Sequence, residues 1–194
     1  EYELLPLDTT NIKIVICDTM KRRGLVDSEY NTRRAQCEEA VRLISEWLPG
    51  IKALRDVSME QFMRYADRLP EAVKKRARHV ISENERVLAS REALKNGRVE
   101  ELAKYMNEGH DSARDDYEVS CFELEAMVEV TRGAPGSLCG RLCGAGFGGA
   151  TVSLVRADKV EDFMQTASEG YEKKTGIKPN LYICTAEDGA GVVA

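Results

Sequence analysis

The feature that most constrains this chain is a glycine-rich run at residues 140–149, in which five of ten residues are glycine. Glycine adopts positive φ and has no Cβ, so the backbone amides of such a run can converge on an anion such as phosphate. The same run also fits a tight turn between two strands. Taken alone it favours the turn, because short glycine patterns often arise by chance.

The residues around the run exclude three common phosphate motifs. The spacing Gly144-x-Gly146-x-x-Gly149 matches the dinucleotide-binding pattern, but that pattern must open a helix. Residues 150–155 alternate with period two and are rich in β-branched side chains, so they predict a strand instead. Only 45 residues follow Gly149, without the motifs of a protein kinase, and no Gly-Lys-Ser/Thr follows as in a Walker loop.

Composition limits the class of protein. The 194 residues can bury one substantial core, and no internal repeat or linker divides them, so we expect a single domain over 1–194. A net charge of −5 argues against a nucleic-acid partner, which needs a basic surface. No apolar run approaches the ~20 residues that span a bilayer, so we expect no membrane association. The first residue is Glu1, and we expect the chain to be a fragment of a longer, two-domain protein.

The cysteines indicate a reducing compartment. Several occupy apolar periodic positions, as reduced core thiols do, and we therefore expect a cytoplasmic protein. The close pair Cys139-x-x-x-Cys143 is loosely spaced for zinc, and His79 and His110 lie far from it in sequence. We expect no metal site in this chain.

Hydrophobic periodicity predicts a strand, a long helical block and then further strands. The strand covers residues 12–17, and helical patterns follow to about residue 133. After a break at Pro135-Gly136 come a strand, the glycine run, a strand at 150–155, a helix at about 158–174 and a strand at 181–184. This order predicts an α+β fold, an antiparallel β-sheet covered by helices.

Helix-start signals lie within the helical block. Asp27 or Ser28 can cap the first helix, and Pro70 can open a later one. Two capping boxes are predicted, one from Ser58 to Gln61 and one starting at Ser120.

Four collinear segments resemble the C-terminal half of galactokinases, within the GHMP small-molecule kinase superfamily. They are residues 18–34, 78–86, 112–120 and 141–149, and the resemblance runs from about residue 5 to residue 190. It implies a GHMP kinase C-terminal domain, with a ferredoxin-like core and a helical insertion. It also implies an enzyme that uses ATP and Mg²⁺ to phosphorylate a monosaccharide at its C1 hydroxyl.

The resemblance also implies which parts lie outside this chain. In that family the sugar signature, the serine-rich phosphate loop and the catalytic base precede the matched region. Phosphoryl transfer needs these positioning groups and the metal together. We therefore expect the N-terminal half of the same protein as a partner, no catalytic residue in this chain, and no activity from the fragment alone.

The resemblance assigns the wall of the active site to six residues. The glycine run corresponds to a family motif beside the phosphate-transfer centre, which places Gly144, Gly146, Gly148 and Gly149 there. Gly146→Val is then expected to reduce activity more than stability.

The two other wall residues each have a structural alternative. Tyr30 matches a tyrosine near the sugar, and a phenol that both donates and accepts suits a hydroxyl-rich ligand. Its alternative is a core ring at a helix start. Arg22 matches a basic position near the transferred phosphate, although Lys21-Arg22-Arg23 also fits a solvated charge cluster.

Other polar residues favour structural roles. Asp115-Asp116 adjoins Arg114, which predicts a charge-neutralised loop. His79 lies within a long helix, and His110 follows Gly109 where it can cap helix carbonyls.

Departures from the family leave the sugar open. Leu142-Cys143 stands where galactokinases usually carry Met-Thr, and Ala150 where cysteine is common. These changes leave room for a kinase of N-acetylgalactosamine, arabinose or a uronic acid. A non-catalytic relative that binds sugar and ATP to engage a protein partner is a further alternative.

Overall fold

A computed structural model describes residues 3–22 and 26–186, with the side chains of residues 26–28 left out. The described residues contain four β-strands, which are β1 (Ile12–Asp18), β2 (Ser137–Cys143), β3 (Ala150–Arg156) and β4 (Asn180–Cys184). They contain six α-helices, which are α1 (Val26–Ser45), α2 (Met59–Tyr65), α3 (Glu71–Lys95), α4 (Val99–Ser112), α5 (Phe122–Gly133) and α6 (Val160–Thr175).

The strands form one antiparallel sheet in the order β2-β3-β1-β4. With α5 between β1 and β2 and α6 between β3 and β4, this is the split βαββαβ topology of ferredoxin-like domains. Helices α1 to α4 are inserted after β1. The predicted α+β fold with an antiparallel sheet, a ferredoxin-like core and a helical insertion is confirmed.

Both sheet faces carry apolar side chains, and helices cover them unequally. Val15, Cys17 and Val155 point to one face and pack against α5 and α6, with Phe163 and Tyr171 fully buried there. The opposite face packs against α4 at one end only. Burial of apolar side chains on both sides explains why these strands are rich in valine and isoleucine.

The helical insertion has a core of its own. Apolar residues that recur at helical spacing on α1, α2 and α3 converge there, including Ala40, Ile44, Phe62, Ala77 and Ile81. Short 3₁₀ turns at Leu54–Asp56 and Ala66–Arg68 join these helices.

The predicted helix starts are confirmed in part. The capping box at Ser58 is confirmed, with Ser58 and Gln61 exchanging side-chain to backbone hydrogen bonds, and α3 begins directly after Pro70. Helix α1 begins at Val26, one residue before Asp27, so neither Asp27 nor Ser28 precedes it; their side chains lie outside the described residues.

The predicted capping box at Ser120 is wrong. Cys121 is the N-cap of α5 and makes no side-chain cap hydrogen bond. The Ser120 hydroxyl instead donates to the carboxylate of Glu125 on α5, so a different local contact takes the place of the cap.

A helical bulge precedes α5. After Ser112 the chain forms one π turn over Ala113–Tyr117, and Glu118 then adopts a left-handed conformation with φ of 54°. The π turn places Val119 and Ser120 at the base of the glycine run, which forms part of the candidate site.

Candidate functional site

The glycine run is the hairpin loop between β2 and β3, and its backbone needs glycine. Gly144, Gly146, Gly148 and Gly149 have φ values of 82°, 79°, 127° and 87°, all in the region that side chains disfavour. Phe147 shares this region, with φ of 57°. Backbone conformation therefore requires glycine at all four positions assigned to the wall.

Two neighbouring segments hold the loop from below. A Cβ on Gly146 would lie 2.0 Å from the carbonyl oxygen of Val119, and one on Gly148 would lie 2.8 Å from that of Lys21. The amide of Phe147 donates to Val119 O over 2.7 Å, and the amide of Gly149 donates to Lys21 O over 3.0 Å. These two amides are already paired with protein carbonyls and do not point free at an anion.

The segment after β1 anchors the far end of the loop. The backbone amide and the hydroxyl of Thr19 both donate to the carbonyl of Gly149. The phenol of buried Tyr171 donates to the carbonyl of Thr19 over 2.8 Å. These hydrogen bonds fix residues 19–21 against the sheet. They therefore fix the backbone position from which the side chain of Arg22 extends.

Arg22 lies beside the end of the loop. It lines an open cavity of about 530 Å³ with Asp18, Lys21, Gly149 and Ala150. Lys21 Nζ is 2.7 Å from a Glu123 carboxylate oxygen, and that hydrogen bond raises the pKa of Lys21. Arg22 makes no hydrogen bond or ion pair within the described residues, so its charge is available at this cavity.

Tyr30 lies beside the start of the loop. Its side chain is 56% exposed, which excludes the alternative of a core ring at the helix start. It lines a smaller cavity of about 160 Å³ with Gly144, Ala145 and Phe147. Two of the sequence-predicted site residues, Arg22 and Tyr30, thus flank the glycine loop at opposite ends.

The inner wall of the Tyr30 cavity holds His79 in its neutral form. Burial is the main cause that lowers the pKa of His79 from 6.5 to about 4. Its Nδ1 lies 2.9 Å from the Ser112 hydroxyl, and its ring stacks on Tyr117 with centroids 4.6 Å apart. The prediction of a structural histidine is confirmed, because so weak a base is unsuited to accept a proton near neutral pH.

Arg141, on β2, completes this wall through an ion pair. Its guanidinium is 3.2 Å from the carboxylate of Glu83 on α3. Burial alone would raise the pKa of Glu83, but hydrogen bonds and charge from Arg86 and Arg141 outweigh it and lower that pKa. The pair remains charged near neutral pH.

Two buried arginines that sequence reasoning missed hold the residues beneath the loop. Arg33 donates from Nε to Tyr117 O over 2.8 Å and from Nη2 to Glu118 O over 2.9 Å. Arg76 is only 3% exposed and pairs with the Glu118 carboxylate over 2.6 Å. Arg76 lies on the apolar stripe of α3 that includes Val73, and this misplaced charge is the signal that could have revealed it.

The other polar candidates have structural partners. Arg114 binds both carboxylate oxygens of Asp115 at 2.7 Å, and Arg78 lies 3.5 Å from Asp116, so the predicted charge neutralisation is confirmed. The prediction of a loop is wrong, because both aspartates lie in the π turn. His110 does not cap helix carbonyls as predicted. It lies inside α4, and its Nδ1 accepts a hydrogen bond from the amide of Leu142 over 3.2 Å.

Groups of three or more His, Cys, Asp or Glu side chains placed to hold a metal ion do not occur in the part of the chain that the structure describes. The six cysteines are free thiols. None of the described helices is long and apolar enough to cross a membrane.

Residues 90–172 match the family described as "GHMP kinases C terminal". Over these residues the chain is similar to the C-terminal domains of GHMP kinases, and the observed ferredoxin-like core with a helical insertion agrees with that similarity.

The particular relatives are galactokinases. The chain is 43% identical over 192 residues to galactokinase from Roseiflexus sp. (strain RS-1), covering 99% of this chain and 49% of that protein. It is 48% identical over 191 residues to galactokinase from Chloroflexus aurantiacus, covering 98% and 48% respectively.

A solved structure agrees. The crystal structure of Lactococcus lactis galactokinase complexed with galactose matches with a TM-score of 0.89 and 34% identity, over 94% of this chain and 47% of that one. The chain thus spans about half the length of the relatives it matches, and it corresponds to their C-terminal half. The resemblance to the C-terminal half of galactokinases is confirmed.

Proposed function

We propose that this chain is the C-terminal domain of a galactokinase, in which it helps to transfer the γ-phosphate of ATP to the C1 hydroxyl of galactose. One observation carries the proposal. Tyr30 and Arg22 flank the two ends of a glycine loop, on a chain that is 40–48% identical to galactokinases along 98–100% of its length.

Each flanking residue suits one part of the reaction. The exposed phenol of Tyr30 can donate a hydrogen bond to one sugar oxygen and accept one from a hydroxyl. The guanidinium of Arg22, which has no partner among the residues that the structure describes, can stabilise negative charge on the transferring phosphoryl group. The glycine loop lies between them and keeps the wall thin, because no Cβ projects from Gly144, Gly146, Gly148 or Gly149.

The remaining parts must come from elsewhere in the protein. Among the described carboxylates near the loop, Glu83 is paired with Arg141, Glu123 is paired with Lys21, and Asp18 accepts a hydrogen bond from the amide of Met20. We assign the base, the main phosphate loop and the ligands of Mg²⁺ to an N-terminal half. Bound Mg²⁺ would supply neutralisation of the phosphate charge.

The division of these parts between two halves leads to a proposal for the whole protein. We propose that residues 1–194 form one GHMP kinase C-terminal domain of a two-domain, cytoplasmic enzyme whose partners are a monosaccharide, ATP and its own N-terminal half. Free thiols, two of them buried, support the cytoplasmic assignment.

The test is sugar-dependent ADP formation by the full-length protein, with the product examined by ³¹P NMR. We expect a sugar 1-phosphate with galactose as the preferred substrate. A clear preference for N-acetylgalactosamine, arabinose or a uronic acid would transfer the proposal to that sugar. Absence of turnover with every common aldose would refute the kinase assignment and favour a non-catalytic sugar-binding relative.

Two variants test the assigned residues. Tyr30→Phe removes one hydrogen-bonding hydroxyl and should raise the KM for galactose about tenfold, whereas Tyr105→Phe on α4 should leave it unchanged. Arg22→Ala should lower kcat about 10- to 100-fold, against no change for exposed Arg64→Ala on α2. Equal effects in a variant and its control would remove that residue from the site.

The isolated chain provides a further test. We expect no phosphorylation of galactose by the 194 residues alone, because they form only one wall of the site. Turnover by the purified chain would show that the base and phosphate loop are not required from an N-terminal half.

A further inference from the structure

His110 is a fully buried histidine directly beneath the strand that enters the glycine loop. Its side chain is 0% exposed, and its Nδ1 accepts the hydrogen bond from the amide of Leu142, two residues before Gly144. Because Nδ1 is the acceptor, the neutral ring carries its proton on Nε2. That nitrogen lies 3.2 Å from Glu125 Oε1, close but without full hydrogen-bond alignment.

Glu125 connects this imidazole to the other support of the loop. Its carboxylate accepts a hydrogen bond from the Ser120 hydroxyl and lies 3.6 Å from the guanidinium of Arg114. Burial would raise the pKa of Glu125, but the contacts with His110 and Ser120 outweigh it and lower that pKa. A charged carboxylate therefore joins α4 to the residue that follows Val119.

Val119 closes a ring of contacts around the loop. Its carbonyl accepts the amide of Phe147 and leaves no room for a side chain on Gly146. The ring runs from His110 to Leu142, along the loop to Phe147, across to Val119 and Ser120, and back through Glu125. The contact between His110 and Glu125 thus sets the distance between β2, which enters the loop, and the Val119 carbonyl, on which the loop rests.

An apolar side chain would fill the same space at lower cost. The adjoining cluster consists of Ala113, Val119, Leu124 and Leu142, and a leucine at position 110 would extend it. A buried imidazole with a poorly aligned N–H is unfavourable by comparison. Its presence points to a requirement for geometry, since polar links fix direction and distance in a way that apolar packing does not.

We propose that His110 is a positioning residue for phosphoryl transfer, holding the glycine loop at its height in the active-site wall through the hydrogen bond that its Nδ1 accepts from the amide of Leu142. The inference rests on the kinase function proposed above. His110 touches neither sugar nor phosphate and acts only through the loop.

Kinetics of the full-length protein test the role. Asparagine can place its Oδ1 where Nδ1 of histidine lies, so His110→Asn keeps the acceptor for Leu142, whereas His110→Leu removes it. We expect His110→Leu to lower kcat at least tenfold with the KM for galactose changed less than twofold, and His110→Asn to retain kcat within about threefold. Thr131→Val is the control, because Thr131 is equally buried but lies outside the ring.

Hydrogen exchange followed by mass spectrometry gives a readout that does not depend on activity. In His110→Leu the peptide that covers residues 140–149 should exchange at least tenfold faster, while a peptide from α6 stays as in the parent protein. His110→Asn should leave both peptides unchanged.

The outcomes separate the two proposals. A parent protein without kinase activity refutes the proposed function, and the exchange rates then still show whether His110 holds the loop. Unchanged exchange at 140–149 in His110→Leu would overturn the positioning role, as would equal losses of kcat in the leucine and asparagine variants. Faster exchange in α6 as well would show a general structural role in place of the local one.

Discussion

Gly146→Ala is the sharpest test of how the glycine loop is held. The substitution adds a single methyl group at a residue with φ of 79°, where the new Cβ would lie 2.0 Å from the carbonyl oxygen of Val119. Real contacts of this kind stay beyond 3 Å. The loop must therefore move away from Val119 by about an ångström.

The cost has two separable parts. Placing alanine in a left-handed conformation costs about 1 kcal/mol. Moving the loop also weakens the 2.7 Å hydrogen bond from Phe147 to Val119 and leaves a partly buried carbonyl without its donor. That second part costs about 1–3 kcal/mol, which gives about 2–4 kcal/mol in total.

Gly176 provides a matched control for the first part alone. It ends α6 with φ of 72°, nearly the same as Gly146, but a Cβ there would meet no atom within 4 Å. Gly176→Ala should therefore lower the free energy of unfolding by only about 1 kcal/mol. Urea titration of both variants measures the difference, which we expect to be about 1–3 kcal/mol.

A Gly146→Ala variant no less stable than Gly176→Ala would refute the packing of the loop on Val119. The contact also changes the expectation for Gly146→Val drawn from the sequence. Activity should still fall, but a loss of stability at least as large as that of Gly146→Ala must accompany it, because valine adds bulk against the same carbonyl.

Three further results are expected. The free energy of unfolding should fall as the pH is lowered from about 6.5 to about 4, because the unfolded chain protonates His79 in that window while the folded chain does not. This loss reaches about 3 kcal/mol and should be smaller in His79→Phe. A direct NMR titration should give His79 a pKa near 4, with His110→Asn used to assign the two imidazole signals, and an ordinary value near 6.5 would contradict its burial. Arg76→Leu should destabilise by about 2–4 kcal/mol in thermal or urea unfolding, because it removes the buried partner of Glu118 and the donor to the carbonyl of Asp116, although Lys75 still pairs with Glu118. Arg64→Leu, which breaks only an exposed pair, should cost less than about 0.5 kcal/mol.

The fold was accessible from sequence because its signals are local and repeated. Period-two alternation in residues 150–155 and helical spacing in the insertion each reflect one buried face, and burial is what forms the element. The prediction fails at Ser120, whose hydroxyl has two local uses, a helix cap or a hydrogen bond to Glu125 five residues on. The residue pattern does not decide between them.

The candidate site was accessible only in part, and largely through resemblance. The glycine content of the run indicates that its backbone can adopt positive φ. The carbonyls of Val119 and Lys21, which leave no room for a side chain on Gly146 and Gly148, come from segments far away in sequence. Arg33 and Arg76 were missed because a sequence shows an arginine as a surface charge until its buried acceptors are known. His110 was predicted to cap helix carbonyls, but its Nδ1 accepts the amide of Leu142 from a strand 32 residues away in sequence.

Tyr30 and Arg22 are exposed at the two ends of the glycine loop. Around the loop, carboxylates, carbonyls and two amides are paired within the chain, while the phenol at one end and the guanidinium at the other are not buried by it. Exposed polar side chains are ordinary on a protein surface, so it is the position of these two at the ends of the loop, and not a cost of their exposure, that suits a wall completed by another body. The packing of the loop on Val119 and Lys21 fixes the backbone beside Arg22, and under the proposed function Tyr30 and Arg22 face the part of the site that an N-terminal half would complete.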